Sequence, residues 1–359
     1  MDKTFLSKKK NFGNLLLAWH NDHNDRSLPW KNETDPYRIW LSEIILQQTR
    51  AAQGLPYYLR FIEQYPTIAD LAHADDNAVF KLWEGLGYYN RCRNMLATAR
   101  KIAFEYNGVF PTSYQDIIAL KGVGNYTAAA IASFAFGLHH AVVDGNVYRV
   151  LARYFGIETP FDTTAGKKEF ADLAQELLTT GKSAAHNQAI MDLGATICTP
   201  QKPTCETCPL QQRCFARERK MENLLPVRSK NIIISTRYFN FLILTFEGKI
   251  WATQRTQKDI WQNLYEPFLI ETDHLLNISE IKRHLSLTKH GIDYLHITEI
   301  GELKQRLTHR IIESRFFFVP LKTPFFDISN NGIWINGDKI NSYAFPKTIL
   351  NHFKEIDYF

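Results

Sequence analysis

Leu120-Lys-Gly-Val-Gly-Asn-Tyr-Thr-Ala-Ala-Ala130 is the stretch around which the rest of the chain is organised. It reads as a short turn built on Gly122 and Gly124, followed by an alanine-rich helix. Glycine lets the backbone turn tightly and come close to another group. The helix that follows directs its unpaired N–H groups at the same place, which makes a ready site for an anion such as phosphate. For a lone Gly-x-Gly a plain helix-to-helix turn is the favoured reading, so the sequence on either side has to decide.

Outward from that turn, residues 11–225 read as helical. Helices are expected at about 11–21, 37–48, 51–64, 75–83, 90–106, 125–136, 145–154, 167–179 and 184–197, several separated by glycines. Asp35-Pro36 is a clear start signal, with Asp as N-cap and Pro at the first helical position. The character changes at a short basic linker, residues 226–231. Beyond it lie strand-like runs at 232–235, 238–246, 250–255 and 314–319, and helices at 278–287 and 346–354. Glu247-Gly248-Lys249 closes a hairpin between two of those runs. The chain is therefore expected to be multidomain: an all-α domain over 1–225, then an α+β domain over 232–359.

A chain of 359 residues suits two domains of about 150 residues each, with room for cores that need no disulfides. Lys+Arg minus Asp+Glu is 42 − 37 = +5, a mild basicity that is compatible with nucleic acid without requiring it. Apolar runs of about 18 residues are absent, so no membrane span is expected. Lys8-Lys9-Lys10 precedes no apolar segment of signal-peptide type. A cytoplasmic location is expected.

Four of the five cysteines, Cys198, Cys205, Cys208 and Cys214, crowd into one loop, whereas Cys92 stands apart. Such a cluster inside a cell binds metal more often than it forms disulfides. The spacing alone suits zinc or an iron–sulfur cluster equally. Two acids differ in their surroundings. Glu43 lies in the apolar helix Trp40-Leu-Ser-Glu-Ile-Ile-Leu-Gln-Gln-Thr49, where desolvation should raise its pKa and keep a proton available. Asp144 starts a helix at Val143-Asp-Gly-Asn-Val147, where N–H groups and the dipole favour the anion. Two carboxyls pushed in opposite directions are the pattern of one acid and one anionic stabiliser. No P-loop, G-x-S-x-G elbow or H-E-x-x-H is present, which argues against NTPase, α/β-hydrolase and zincin chemistry.

Taken together, these motifs resemble the helix-hairpin-helix DNA glycosylase superfamily, and within it the MutY-type adenine DNA glycosylases. Gly85-Leu-Gly-Tyr-Tyr-Asn-Arg91 and Asn187-Gln-Ala-Ile-Met-Asp-Leu-Gly-Ala195 add to the likeness, which covers nearly the whole chain. The resemblance implies a glycosylase domain with its hairpin at about 114–136 and a [4Fe–4S] loop at 198–214, then a Nudix-like domain. It implies removal of adenine mispaired with 8-oxoguanine, or with guanine, from double-stranded DNA by a monomer, at the nucleoid. Glu43 would protonate the base and Asp144 would stabilise the sugar cation, with Tyr126 and Asn146 positioning water, sugar or Asp144. Endonuclease III-like relatives carry a Schiff-base lysine where Tyr126 stands, so a monofunctional enzyme is implied. Trp30, Lys31 and Thr49 match positions near the base pocket, and Lys31 replaces a family arginine. Gln48 and Tyr88 match residues that wedge into the stack. Gly122 and Gly124 would meet DNA phosphate, with a monovalent cation at the hairpin. Leu307, Thr308 and His309 match the loop tip that reads 8-oxoguanine. The magnesium-binding Nudix run is missing, so that domain is expected to bind and not to hydrolyse. A related glycosylase for thymine opposite guanine, and a catalytically silent lesion-binding protein, are the alternatives.

Overall fold

The computed structural model describes residues 3–229, 234–287, 292–307, 309–324 and 332–353, with side chains from residue 9 onward except 286 and 287. They form two compact units, Met1–His73 with Asn94–Asn231, and Ala74–Arg93 with Ile232–Phe359. The sequence pattern shows one boundary, at 226–231, of which 230 and 231 lie outside the described residues. Compactness adds the segment 74–93 to the C-terminal unit, for reasons given below.

The helices are α1 (Lys3–His23), α2 (Pro36–Leu46), α3 (Ala51–Gln64), α4 (Ile68–His73), α5 (Asp76–Trp83), α6 (Asn90–Glu105), α7 (Tyr114–Ile118) and α8 (Asn125–Phe136). They continue as α9 (Gly145–Phe155), α10 (Thr164–Leu177), α11 (Ser183–Thr196) and α12 (Phe215–Arg219). α2 starts as its sequence dictates: the Asp35 carboxylate accepts from the Tyr37 amide at 2.8 Å, with Pro36 in the first turn. It stops at Leu46, two residues before the expected end, because Gln48 takes a left-handed φ of 56°. α4, of six residues, lies outside the expected helices, whereas α7, of five, falls within the hairpin expected at about 114–136. Helices that short leave no readable period.

Between α7 and α8 lies the glycine turn. Gly122 has φ 80°, and a Cβ there would sit 2.6 Å from the Cβ of Asn94 on α6. Only glycine satisfies both the backbone and the close approach. Gly124 is the N-cap of α8, and the space a Cβ would enter there is open. The main core of this unit joins Phe12, Leu16 and Trp19 of α1 to Leu151 and Tyr154 of α9, Phe170 of α10 and Leu193 of α11.

The second unit is built on a mixed sheet. Its strands are β1 (Ser235–Phe246), β2 (Lys249–Gln254), β3 (Tyr265–Glu266), β4 (Phe268–Thr272), β5 (Thr298–Arg306), β6 (Arg310–Pro320) and β7 (Ile333–Asn336). The order is β3-β2-β1-β6-β5, with β4 also on β1 and β7 on β2. β1 runs parallel to β6 and antiparallel to β2 and β4. Phe239, Phe241 and Ile243 enter one core with Ile349 and Phe353 of the closing helix α14 (Lys347–Phe353). Leu242 and Leu244 enter the other core with Ile281 and Leu285 of α13 (Ile278–Leu287). Burial on both faces explains the nearly unbroken apolar run of β1. Within it Asn240 is fully buried and bonded to the Ile270 carbonyl, the Thr272 hydroxyl and the Leu276 amide.

Candidate active site

In the first unit, α2, α8, the start of α9 and α11 surround a cavity of ≈ 500 Å³. Glu43, Thr49, Tyr126, Asp144, Asn146 and Trp30 all line it. Residues separated by more than a hundred positions in sequence thus face one space.

Glu43 is buried at the inner face of α2. Burial pushes its carboxyl up to about 7; the hydrogen bond from Tyr126 opposes the shift and the charge of Asp144 adds to it. Such a group carries a proton it can give away near neutrality. Tyr126 is itself raised well above its ordinary value by burial and by the neighbouring Glu43 and Asp144, so it stays a neutral donor. Its hydroxyl also lies 4.0 Å from the Met191 sulfur.

Asp144 is placed by the chain that leads to it. Asn187, buried in α11, accepts from the Val142 amide at 3.0 Å and donates to the Ser133 hydroxyl and the His140 carbonyl. Gln175 accepts from the Ala141 amide. These bonds pin the extended run before α9, and Asp144 then caps the helix. Its Oδ1 accepts from the Val147 amide at 2.8 Å and its Oδ2 from Asn146 Nδ2 at 2.7 Å. Arg149 holds Asn146 in turn, donating Nη2 to Asn146 Oδ1 and to the Gly194 carbonyl, both at 2.7 Å. A Cβ on Gly194 would sit 2.6 Å from that of Asn146, so glycine keeps α11 this close.

The expected opposite shifts of the two acids are corrected here. Asp144 is also raised, because burial outweighs the bonds from Val147 and Asn146 and the charge of Arg149. Donors still distinguish the pair: the groups on Asp144 hold an anion, whereas Glu43 has only the Tyr126 hydroxyl to offset its burial.

The wall opposite was missed by sequence reading. Arg26, His20, Gln188 and Met191 also line the cavity. Behind them, fully buried Asp192 accepts from Arg26 Nη1 and Asn24 Nδ2, each at 2.7 Å. Lys31 lies 3.4 Å from the same carboxylate and donates to the Arg26 carbonyl at 2.8 Å. Lys31 therefore braces the wall and is not among the cavity-lining residues. The signal was available: Gln188, Met191 and Asp192 fall inside the quoted Asn187–Ala195 motif.

Other candidates lie elsewhere. Gln47 turns inward to the Thr127 hydroxyl, whereas Gln48 is exposed with its left-handed backbone. In the second unit Tyr88 is 49% exposed, with φ 48°, next to Gly87. Arg91 lies over the rings of Trp83 and Tyr88, at 5.1 and 5.6 Å, and donates to the Leu86 and Gly87 carbonyls. Non-glycine residues held at positive φ mark strained positions, and such strain gathers at functional sites. At the β5–β6 turn the Leu307 amide donates to the Arg310 carbonyl at 2.7 Å and His309 is exposed. Thr308 lies outside the described residues.

Cys198, Cys205, Cys208 and Cys214 line a single small cavity together with Arg153 and Arg217. Arg153 Nη1 approaches Cys198 Sγ at 3.3 Å, and Arg149 Nε donates to the Cys198 carbonyl at 2.6 Å. Burial and the neighbouring sulfurs push the Cys208 thiol up to about 12 against a bond from the Leu210 backbone, so free thiolates would be unstable together. Among the described residues no three His, Cys, Asp or Glu side chains close on one ion position. A convergent thiol set with guanidinium neighbours has the chemistry to hold an anionic thiolate-ligated group wider than a single ion.

Residues 41–178 match the model of the HhH-GPD superfamily base excision DNA repair proteins. The adenine DNA glycosylase of Buchnera aphidicola subsp. Acyrthosiphon pisum is 30% identical, covering 96% of this chain and 98% of its own. The human adenine DNA glycosylase is 42% identical over 60% of this chain and 41% of its own. Among solved structures, a thermostable thymine-DNA glycosylase aligns with TM-score 0.55 at 33% identity, covering 60% of this chain and 98% of that one. An endonuclease III–DNA complex, at 21% identity and TM-score 0.53, shares the fold over 62% of this chain and 99% of its own. Full-length relatedness and a buried acid facing a capped aspartate point the same way, and the chain belongs to the MutY-type adenine DNA glycosylases, enzymes of base excision repair that hydrolyse N-glycosyl bonds.

Proposed function

We propose that the chain removes adenine mispaired with 8-oxoguanine, or with guanine, from duplex DNA by hydrolysis and without cutting the strand. The observation that carries this reading is Glu43, held at about 7 in a cavity shared with Asp144. With adenine turned out of the stack into that cavity, Glu43 gives its proton to N7. The bond between N9 and the sugar breaks, its electron pair leaves with the neutral base, and positive charge develops on the sugar. Asp144, fixed by Val147 and Asn146, faces that charge. Water adds to the sugar carbon and Glu43 takes up the released proton. Tyr126 supplies a hydroxyl where an amine would be needed for a Schiff base, which supports the monofunctional reading.

Cys198, Cys205, Cys208 and Cys214 would hold a [4Fe–4S] cluster. When bound, it supplies a covalent tie across residues 198–214. The hairpin with Gly122 and Gly124 would meet DNA phosphate, with a monovalent cation there. The second unit is read as a Nudix-like domain that recognises 8-oxoguanine through Leu307, Thr308 and His309. Its helix α13, Ile-Ser-Glu-Ile-Lys-Arg-His-Leu-Ser-Leu, carries a single glutamate among basic residues, a poor cradle for magnesium.

Single-turnover assays on duplexes holding A opposite 8-oxoguanine, A opposite G or T opposite G test the substrate. Adenine release fastest opposite 8-oxoguanine, with strands intact until alkali is added, is the expected result. Preference for T opposite G would overturn it.

A further inference from the structure

Loop Arg255–Asn263 has no part in the chemistry above, yet its bonding is dense. Asp259 sits at its middle. Its Oδ1 accepts from Arg237 Nη1 at 2.8 Å and from Arg310 Nη1 at 3.0 Å, and its Oδ2 accepts from Arg255 Nη2 at 2.8 Å. Arg255 also donates to Glu266 at 2.6 Å and to the Ile260 carbonyl at 3.0 Å. Trp261 and Asn263 both take positive φ, at 57° and 69°, and the Trp261 ring meets Phe239 edge-on at 5.9 Å. A bulky residue holds such a backbone only where its surroundings over-determine it.

The loop has two outward connections. On one side Arg310 is the residue at which the β5–β6 turn closes, through the Leu307 amide and the Arg310 carbonyl. The Ser235 amide, at the start of β1, also donates to the His309 carbonyl. On the other side Arg93 Nη1 donates to the Gln262 carbonyl at 2.8 Å. Arg93 follows the segment whose Arg91 lies over Tyr88, and both belong to the same compact unit as the loop.

We propose that loop Arg255–Asn263 is a brace that fixes Arg310, where the β5–β6 turn closes on Leu307, relative to the Tyr88 segment, with Asp259 as its positioning residue. Contact between the turn and a damaged base is thereby coupled to the place where Tyr88 enters the stack. This rests on the lesion-reading role of the turn. Half-buried in a web of guanidinium groups, Asp259 acts through Arg310 and touches no DNA.

The test measures single-turnover excision from A:8-oxoguanine and A:G duplexes in the full chain. Asp259→Asn is expected to lower the ratio of the two rates by about tenfold, the scale set by losing a charge-assisted hydrogen bond. Arg93→Met, at the far end, should lower the same ratio. The double variant should be no worse than the more damaging single one, because cutting a brace twice adds nothing. A reduced ratio with non-additive effects supports the brace; additive effects, or equal loss on both duplexes, overturn it. His309→Ala separates the two layers. A lower ratio in His309→Ala with Asp259→Asn unchanged removes the brace and keeps the reading of the turn, whereas no change in either removes both.

Discussion

At Glu43, stability and activity pull apart. A glutamate ordinarily titrates at 4.5, and here the folded protein holds the proton up to about 7. Between those values the folded form keeps a proton that the unfolded form has released, so stability falls as pH rises through that window and levels off above it. Glu43→Gln removes that dependence and keeps a partner for the Tyr126 hydroxyl. The variant should be on the order of 3 kcal/mol more stable than the parent at pH 8, with no difference at pH 4.5. It should bind duplex and release no adenine. Thermal melts at the two pH values with a base-release assay check both, and equal melting at pH 8 would remove the buried-acid assignment. In the parent, excision should decline as pH rises through about 7; a flat profile from pH 6 to 8.5 would take Glu43 out of the proton-donor role. Asp192 is the reverse case, a buried carboxylate already matched by Arg26 and Lys31. Asp192→Asn strands two cations beside the pocket wall, so a loss of about 3–5 kcal/mol is expected in urea titration, with slower excision. A parent-like midpoint would show that the cluster is not held by charge.

The glycine turn offers a comparison between two positions in one element. Gly122→Ala meets a left-handed φ of 80° and the Asn94 side chain, so folding stability should drop by about 1–2 kcal/mol or more. Gly124→Ala enters open space from an ordinary extended backbone and should leave stability within about 0.5 kcal/mol. If DNA phosphate approaches this N-cap, Gly124→Ala should weaken duplex binding at unchanged melting temperature. Unchanged affinity would reduce the hairpin to a turn. How far such elements could be read beforehand follows from their physics. Helices with caps or a long apolar period, such as α3, α8 and α13, were visible to the residue or nearly so. β5 was not, because Thr-Glu-Ile-Gly-Glu-Leu-Lys-Gln-Arg is mostly exposed and charged, which erases the strand signal. Glu43 and Asp144 could be found from local sequence, since an apolar helix and a helix start are local. The Asp144 shift could not, because the burial that reverses it comes from α8 and α11, which pack around it from elsewhere in the chain.

On the scale of the whole chain, the grouping of 74–93 with 232–359 changes what truncation should do. A module appended after a linker could be removed with loss of lesion discrimination alone. Here α5 packs on the 3₁₀ turn Gly337–Ser342, and Arg93 is bonded to the Gln262 carbonyl, so ending the chain after Ser229 deprives the Tyr88 segment of its partners. The backbone at Gly85, Gly87 and Tyr88 is left-handed throughout and relies on surrounding contacts to persist. The truncated protein should therefore lose excision from A:G as well as from A:8-oxoguanine, while the cavity residues of the first unit stay folded. Hydrogen exchange should show faster amides over 76–93 with protection kept over α2, α8, α9 and α11. A truncated protein that removes adenine opposite guanine at the full-chain rate would show that the Tyr88 segment supports itself, and that the C-terminal residues act on the lesion alone.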